Sequence, residues 1–170
     1  MNDMKEMLVA LGAVKRGSFV LASGRKSDYY VDMKSACTDI AFLRLVAAEA
    51  KALVRGADRL AGIELGAVPP LVATAMETGI PFIIVRKERK AHGTGAQIEG
   101  VLHKGEHVVF IEDVTTTGNS LVRGIEVVRS LGGIVEEAIV LVDREEGAQE
   151  HLAEIGVSLH PLVRISEIWR

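Results

Sequence analysis

A chain of 170 residues with 48% hydrophobic content has room for one buried core and too few residues for two ordinary domains. Its formal net charge of −3 excludes a global basic field that would draw it to nucleic acid or an anionic membrane, so any affinity for phosphate has to be local. The single cysteine, Cys37, excludes an internal disulfide and a zinc cluster, and reads as a buried, inert thiol in a reducing compartment.

The opening run MNDMKEMLVALGAVKRG carries Asp3, Lys5 and Glu6 among its apolar residues, so it lacks the apolar stretch of a signal peptide. No run approaches the roughly 20 apolar residues of a membrane span. The expectation is a cytoplasmic protein with neither membrane nor nucleic acid as a partner. Ser18–Leu21 and Tyr29–Met33 read as two strands joined across Ser23–Gly24, a hairpin laid over one end of a sheet. Asp39 is a plausible N-cap for an Ala-rich helix over Ile40–Leu53. Strands are predicted at Leu60–Ile63, Phe82–Val85, Val108–Ile111 and Ala138–Val142, with a last one near Val157–Ile165. Between them, Ser120–Leu131 sets Leu121, Ile125, Val128 and Leu131 on one helical face before Gly132–Gly133 stops it, and Gly147–Ile155 reads as a shorter helix. Short Val/Ile runs alternating with helical stretches predict an α/β fold, a mostly parallel sheet flanked by helices, as a single domain over residues 1–170. Residues Arg86–Glu99 (RKERKAHGTGAQIE) have no apolar period and predict a long exposed loop of the kind that is either a functional lid or disordered.

The densest chemistry lies at Val108–Ser120 (VVFIEDVTTTGNS). A buried strand is followed by Glu112 and Asp113, then Val114, Thr115, Thr116, Thr117, Gly118, Asn119 and Ser120. In an open parallel sheet ligands bind at the carboxyl ends of strands, and the following helix offers N–H groups with no internal partner to an anion. The hydroxyls add donors, and Gly118 lets backbone approach a phosphate. Two carboxylates would repel that phosphate, so Glu112 and Asp113 read as acceptors for vicinal hydroxyls or as groups facing a bound Mg²⁺. No GxxxxGK[ST] loop is present, and the nearest approach to GxGxxG, from Gly93, has Ile98 at the third glycine position. Arg86, Lys87, Arg89, Lys90 and His92 crowd the end of the Phe82–Val85 strand, where cations closing over a site stabilise a multiply charged leaving group. His103, His107, His151 and His160 show no metal-ligand spacing and read as surface or satisfied core residues.

The Val108–Ser120 stretch resembles the signature motif of the type I phosphoribosyltransferases, which hold 5-phosphoribosyl 1-diphosphate (PRPP), and its EDVTTTG wording is most similar to the orotate phosphoribosyltransferases. The resemblance implies a type I phosphoribosyltransferase-like fold with a small N-terminal hood, about residues 1–35, and a flexible catalytic loop, about residues 86–99. It implies that Glu112 and Asp113 bind the ribose 2′- and 3′-hydroxyls while Val114–Ser120 cradle the 5′-phosphate. RKERKAHGTG resembles the family's catalytic loop pattern RKxxKxHGxG, matched at Arg86, Lys87, Lys90 and His92, with Arg89 on an open position. Lys87, Lys90 and His92 take the catalytic roles; in the family the loop crosses a dimer interface and the lysine at the Lys87 position serves the partner's site, which implies a homodimer with shared sites. FVLASGRKSDYYVD resembles the hood segment that covers the nucleobase, with Tyr29 and Tyr30 as apolar cover and Ala22 where bacterial members commonly have lysine. DREEG resembles the motif whose arginine grips the orotate carboxylate, giving Arg144 that role with Thr116 beside it. Glu64–Pro69 matches the position of the diphosphate-binding loop, with Gly66 where some bacterial members place lysine. Mg²⁺ is implied as cofactor, held mainly by PRPP rather than by protein ligands.

Two rivals stay open at this level. A related enzyme acting on a purine or another base would have no carboxylate for Arg144. A non-enzymatic PRPP-sensing regulator would typically add a DNA-binding segment, for which the stretch before the hood leaves no room.

Overall fold

The computed structural model describes residues 4–20, 26–87 and 97–168, apart from the side chains of Arg16 and Ser27. Helix α1 (Met4–Ala10) leads into a hairpin of β1 (Val14–Val20) and β2 (Lys26–Val31), paired antiparallel from Val14↔Val31 to Val20↔Lys26. The expected hairpin is therefore present; its connection at Ser23–Gly24, with Ala22, lies outside the described residues. Met33, expected in a strand, instead opens the one-turn helix α2 (Met33–Ala36), because the Asp32 carboxylate accepts the Ser35 N–H at 3.3 Å and caps that turn.

A second sheet follows. Helix α3 (Ile40–Lys51) starts at Asp39, whose carboxylate accepts the Phe42 N–H at 2.8 Å. Then come β3 (Arg59–Ile63), α4 (Val68–Thr78), β4 (Phe82–Val85), β5 (Ile98–Glu99), β6 (His107–Thr115) and α5 (Asn119–Ser130). The chain continues through β7 (Ile134–Asp143), α6 (Ala148–Glu154), β8 (Ser158–Arg164) and α7 (Ile165–Ile168). The strand order is β5-β4-β3-β6-β7-β8, parallel throughout except for β5. The central strands are apolar without alternation because both faces are covered. Val109, Ile111, Ile139 and Leu141 pack into the cluster that includes α3, while Val108, Phe110, Ala138 and Val140 pack into the one under α5 and α6.

Other boundaries also differ from expectation, and three of them have a plain physical reason. Strand β6 runs four residues past Ile111, because β7 is long enough to continue the ladder to Thr115↔Asp143. Ile98–Glu99, expected to close a loop, pair with β4 as an antiparallel edge strand, and Arg86 N–H donates to Gln97 C=O at 2.9 Å, so the two feet of the basic loop are tied together. Leu131, expected on the buried face of its helix, is the C-cap residue and is 48% exposed.

The β3–β6 ladder stops at Ala61↔Phe110, so beyond it β6 has no partner on the β3 side. Here the order of the sheet also reverses, with β4 added on one side and β7 on the other. A crevice at such a switch point is where open α/β sheets bind ligands. Below it, Arg59 Nε and Nη2 donate to the two Glu106 carboxylate oxygens, both at 2.7 Å, and clamp the start of β3 to the approach of β6. This holds the Glu106 carboxyl at about 2, against a usual 4.5. Its stabilisation is therefore complete above about 4.5 and is lost as pH falls toward 2. Glu106→Gln is expected to destabilise the protein by about 2 kcal/mol at neutral pH. Thermal unfolding across pH should show the gap to wild type closing below pH 4.5.

Candidate active site

Strand β6 delivers Glu112 and Asp113 to the crevice with only 7% and 8% of their surface exposed. The Asp113 amide donates to Glu112 Oε1 at 3.1 Å, and the Val114 amide to Asp113 Oδ1 at 2.9 Å. Burial, and then the neighbouring Asp113 carboxylate, push the Glu112 carboxyl well above its usual range; the charge of Lys87 opposes the rise. Cys37 is buried beneath the same strand end, its thiol pushed up to about 12 by burial and by Asp113, which bears out its reading as inert.

The turn after β3 forms the opposite wall. Gly66 lies against Asp113 so closely that a Cβ there would run into the carboxylate as it is placed. Glu64 accepts the Lys87 N–H at 3.0 Å, joining this turn to the first foot of the basic loop. The Glu64–Leu65 peptide is cis. Between the walls is a cleft of about 290 Å³ lined by Glu64–Gly66, Lys87, Glu112–Leu121 and, from α2, Lys34.

The cleft floor is the turn from β6 into α5. Gly118 adopts φ +80°, which favours glycine, and a Cβ on it would also press within 2.7 Å of Leu152 on α6. No side chain caps α5, so its first amides are available to an anion beside the hydroxyls of Thr116, Thr117 and Ser120. His151 on α6 braces the turn through Nδ1, 2.9 Å from the Thr117 carbonyl oxygen.

Arg144 does not line this cleft. It follows β7, is 9% exposed, and donates its N–H to the Thr115 carbonyl at 3.0 Å, which ties it to the end of β6 next to Thr116. Its Nη2 pairs with Glu146 at 3.0 Å, and its guanidinium carbon lies 4.9 Å from the centre of the Tyr29 ring.

The cleft thus brings together Lys87, Glu112, Asp113, Val114, Thr115, Thr116, Thr117, Gly118, Asn119 and Ser120, all predicted from sequence. Thr115 is 5% exposed and sits inside β6 rather than in the loop. Arg86 lies just outside, its Nη1 paired with Glu99 at 2.9 Å. Lys90 and His92 lie outside the described residues. Lys87, expected to serve a partner's site, lines the cleft of its own chain, because the pairing of β4 with β5 holds the foot of the loop there. Sequence reasoning missed Lys34, Glu64 as anchor of Lys87, and the brace from His151. Asp32, with Ser35 three residues on, was the available signal for α2 and hence for Lys34.

Sheet topology and cleft together define an α/β protein built to seat a sugar phosphate at the switch point of its sheet. A sequence profile of the phosphoribosyl transferase domain matches residues 39–160. The chain belongs to the phosphoribosyltransferase family, and within it to the orotate phosphoribosyltransferases. It is 49% identical to the orotate phosphoribosyltransferase of Thermoplasma acidophilum, over 99% of this chain and 97% of that one. The crystal structure of orotate phosphoribosyltransferase from Aeropyrum pernix superimposes with a TM-score of 0.87 at 40% identity, covering 97% and 95% of the two chains. A Leishmania donovani UMP synthase structure matches with a TM-score of 0.87 at 36% identity; there the chain covers 36% of the longer protein.

Glu112 gives this site a stability signature. The folded protein holds the Glu112 proton more tightly than the unfolded chain, so ionising it costs stability as pH rises from about 4.5 toward its raised value. Glu112→Gln is expected to raise the melting temperature above neutral pH by about 2–4 °C, the equivalent of about 1 kcal/mol. Transferase activity should fall in the same variant, because an amide is a weaker acceptor for a hydroxyl than a carboxylate.

Proposed function

We propose that this protein transfers the phosphoribosyl group of PRPP to N1 of orotate, forming orotidine 5′-phosphate and diphosphate, as a cytoplasmic step of pyrimidine (UMP) biosynthesis. The observation that carries the reading is the uncapped start of α5 facing a buried acidic pair across one cleft. Amides at the start of α5 and the hydroxyls of Thr116, Thr117 and Ser120 take the 5′-phosphate. Glu112 and Asp113 accept hydrogen bonds from the ribose 2′- and 3′-hydroxyls and favour the positive charge that grows on the ribose as its C1′–O bond breaks. The Glu64–Pro69 turn and Lys87 receive the diphosphate, and Arg86, Lys90 and His92 of the basic loop neutralise it as it leaves. Arg144 takes the base carboxylate, with Thr116 beside it. No covalent nucleophile is required; positioning and electrostatics carry the reaction.

Among the described residues no group of three or more His, Cys, Asp or Glu side chains is placed to hold a metal ion. Glu112 and Asp113 are hard oxygen donors on the cleft wall, and they suit an Mg²⁺ ion that arrives on PRPP and offsets the diphosphate charge. No helix among the described residues is long and apolar enough to cross a membrane. The working unit in this reading is a homodimer in which the tip of the basic loop, with Lys90 and His92, reaches the partner's cleft while Lys87 serves its own.

Purified protein supplied with PRPP and Mg²⁺ should consume orotate and leave uracil, adenine and hypoxanthine unreacted. Arg144→Ala should raise the orotate KM by about 10- to 100-fold, the loss of a charged hydrogen-bonded pair. Turnover of a purine that survives Arg144→Ala would move the assignment to another base. Mixing Lys90→Ala with Asp113→Asn protein should restore activity that neither has alone, whereas Lys87→Ala with Asp113→Asn should restore none; the reverse pattern would place Lys87 in the partner's site.

A further inference from the structure

We propose that Tyr29, on the hood strand β2, is a positioning residue for base recognition: its ring holds the Arg144 guanidinium in the plane that receives the base carboxylate. The inference rests on the reading of Arg144 as partner of that carboxylate.

Three restraints converge on Arg144. Its backbone N–H is fixed to Thr115 at 3.0 Å, its Nη2 is drawn to Glu146 at 3.0 Å, and its guanidinium carbon sits 4.9 Å from the Tyr29 ring centre. An aromatic ring within about 6 Å attracts a guanidinium through its face. A carboxylate binds the same cation along its edge, in the plane of the nitrogens. The two partners therefore do not compete, and the ring removes the rotation that an in-plane fork cannot tolerate. Nε of Arg144 is buried with no hydrogen-bond partner among the described residues.

The hood holds Tyr29 firmly enough to do this. Tyr29 packs partly buried against the main core, two residues before Val31, which is 8% exposed. The next residue, Asp32, donates its N–H to Ala13 at 2.7 Å and caps α2. Strand alternation turns Tyr30 to the other face, where it lies 5.6 Å from the Phe19 ring and is 43% exposed. The two adjacent tyrosines thus have different tasks. A guanidinium ordered in advance binds a carboxylate without first losing its own torsional freedom.

Steady-state kinetics on the full chain test this. Tyr29→Leu is expected to raise the orotate KM about tenfold, while the PRPP KM stays within about twofold of wild type. Tyr29→Phe, which keeps the ring, should rescue the orotate KM. If Tyr29→Leu does not fold, Tyr29→Met, closer in reach and volume, carries the same arm. An unchanged orotate KM in the ring-less variant, a parallel rise in both KM values, or failure of phenylalanine to rescue would overturn the proposal. Arg144→Ala run alongside separates the two levels. If that variant also leaves the orotate KM unchanged, the reading of Arg144 falls; if it raises the KM while Tyr29→Leu does not, only the role of Tyr29 is lost.

Discussion

Two carboxylates held almost out of water, side by side on the central strand, impose the main constraint on this molecule. Removing a charge from water costs several kcal/mol unless neighbours compensate, and like charges side by side add to the cost. The protein offsets the cost partly by aiming the Asp113 and Val114 amides at the pair, and what is not offset shows in the raised Glu112 carboxyl. Its surroundings follow from the same constraint. A Cβ on Gly66 would run into the Asp113 carboxylate, and the Cys37 thiol is pushed up by burial and then by the same carboxylate. Lys87 is tethered through its amide to Glu64, close enough for its charge to favour ionised Glu112. The apolar residues on both faces of β6 and β7 supply the burial that offsets the cost.

The architecture was readable from sequence where apolar runs are long and bounded by turn residues. The four core strands, the helix capped by Asp39 and the helix over Asn119–Ser130 fall where periodicity and caps put them. What sequence could not supply was strand length. Glu112 and Asp113 look like the end of a strand because a carboxylate is unwelcome in one, yet the ladder continues because β7 continues beside it. Strand β5 is two residues at the end of a charged, glycine-rich stretch, and only its pairing with Ile84 and Val85 makes it a strand. One-turn helix α2 is too short for any periodic signal and exists through its Asp32 cap.

The site divides along the same line. Residues 112–120 are contiguous, so their chemistry shows in the linear sequence, and the structure gathers them around one cleft. Lys34, Glu64 and His151 reach the same region from α2, the turn after β3 and α6. Nothing local distinguishes them from surface residues. The Tyr29 contact to Arg144 joins residues more than a hundred positions apart, which no local pattern encodes.

The turn into α5 and the turn that carries Arg144 are two sides of one structural joint. Thr115 pairs with Asp143 in the ladder and accepts the Arg144 N–H, so the end of β6 is tied to the end of β7. Glu145 takes a left-handed φ of 56°, uncommon for a residue with a Cβ, and is held there by its amide bonding Asp143 Oδ1 at 2.9 Å and its carboxylate accepting the Ser166 N–H at 2.9 Å. That turn launches α6, whose Ala148 and Leu152 press on Gly118 and whose His151 contacts the Thr117 carbonyl. The two turns are therefore joined twice, through α6 and through Thr115. In the proposed reading, the spacing between a sugar phosphate on α5 and a base at Arg144 is then set by backbone and close packing, not by long side chains. A transfer reaction that must bring two bound partners into bonding distance depends on that kind of fixed spacing.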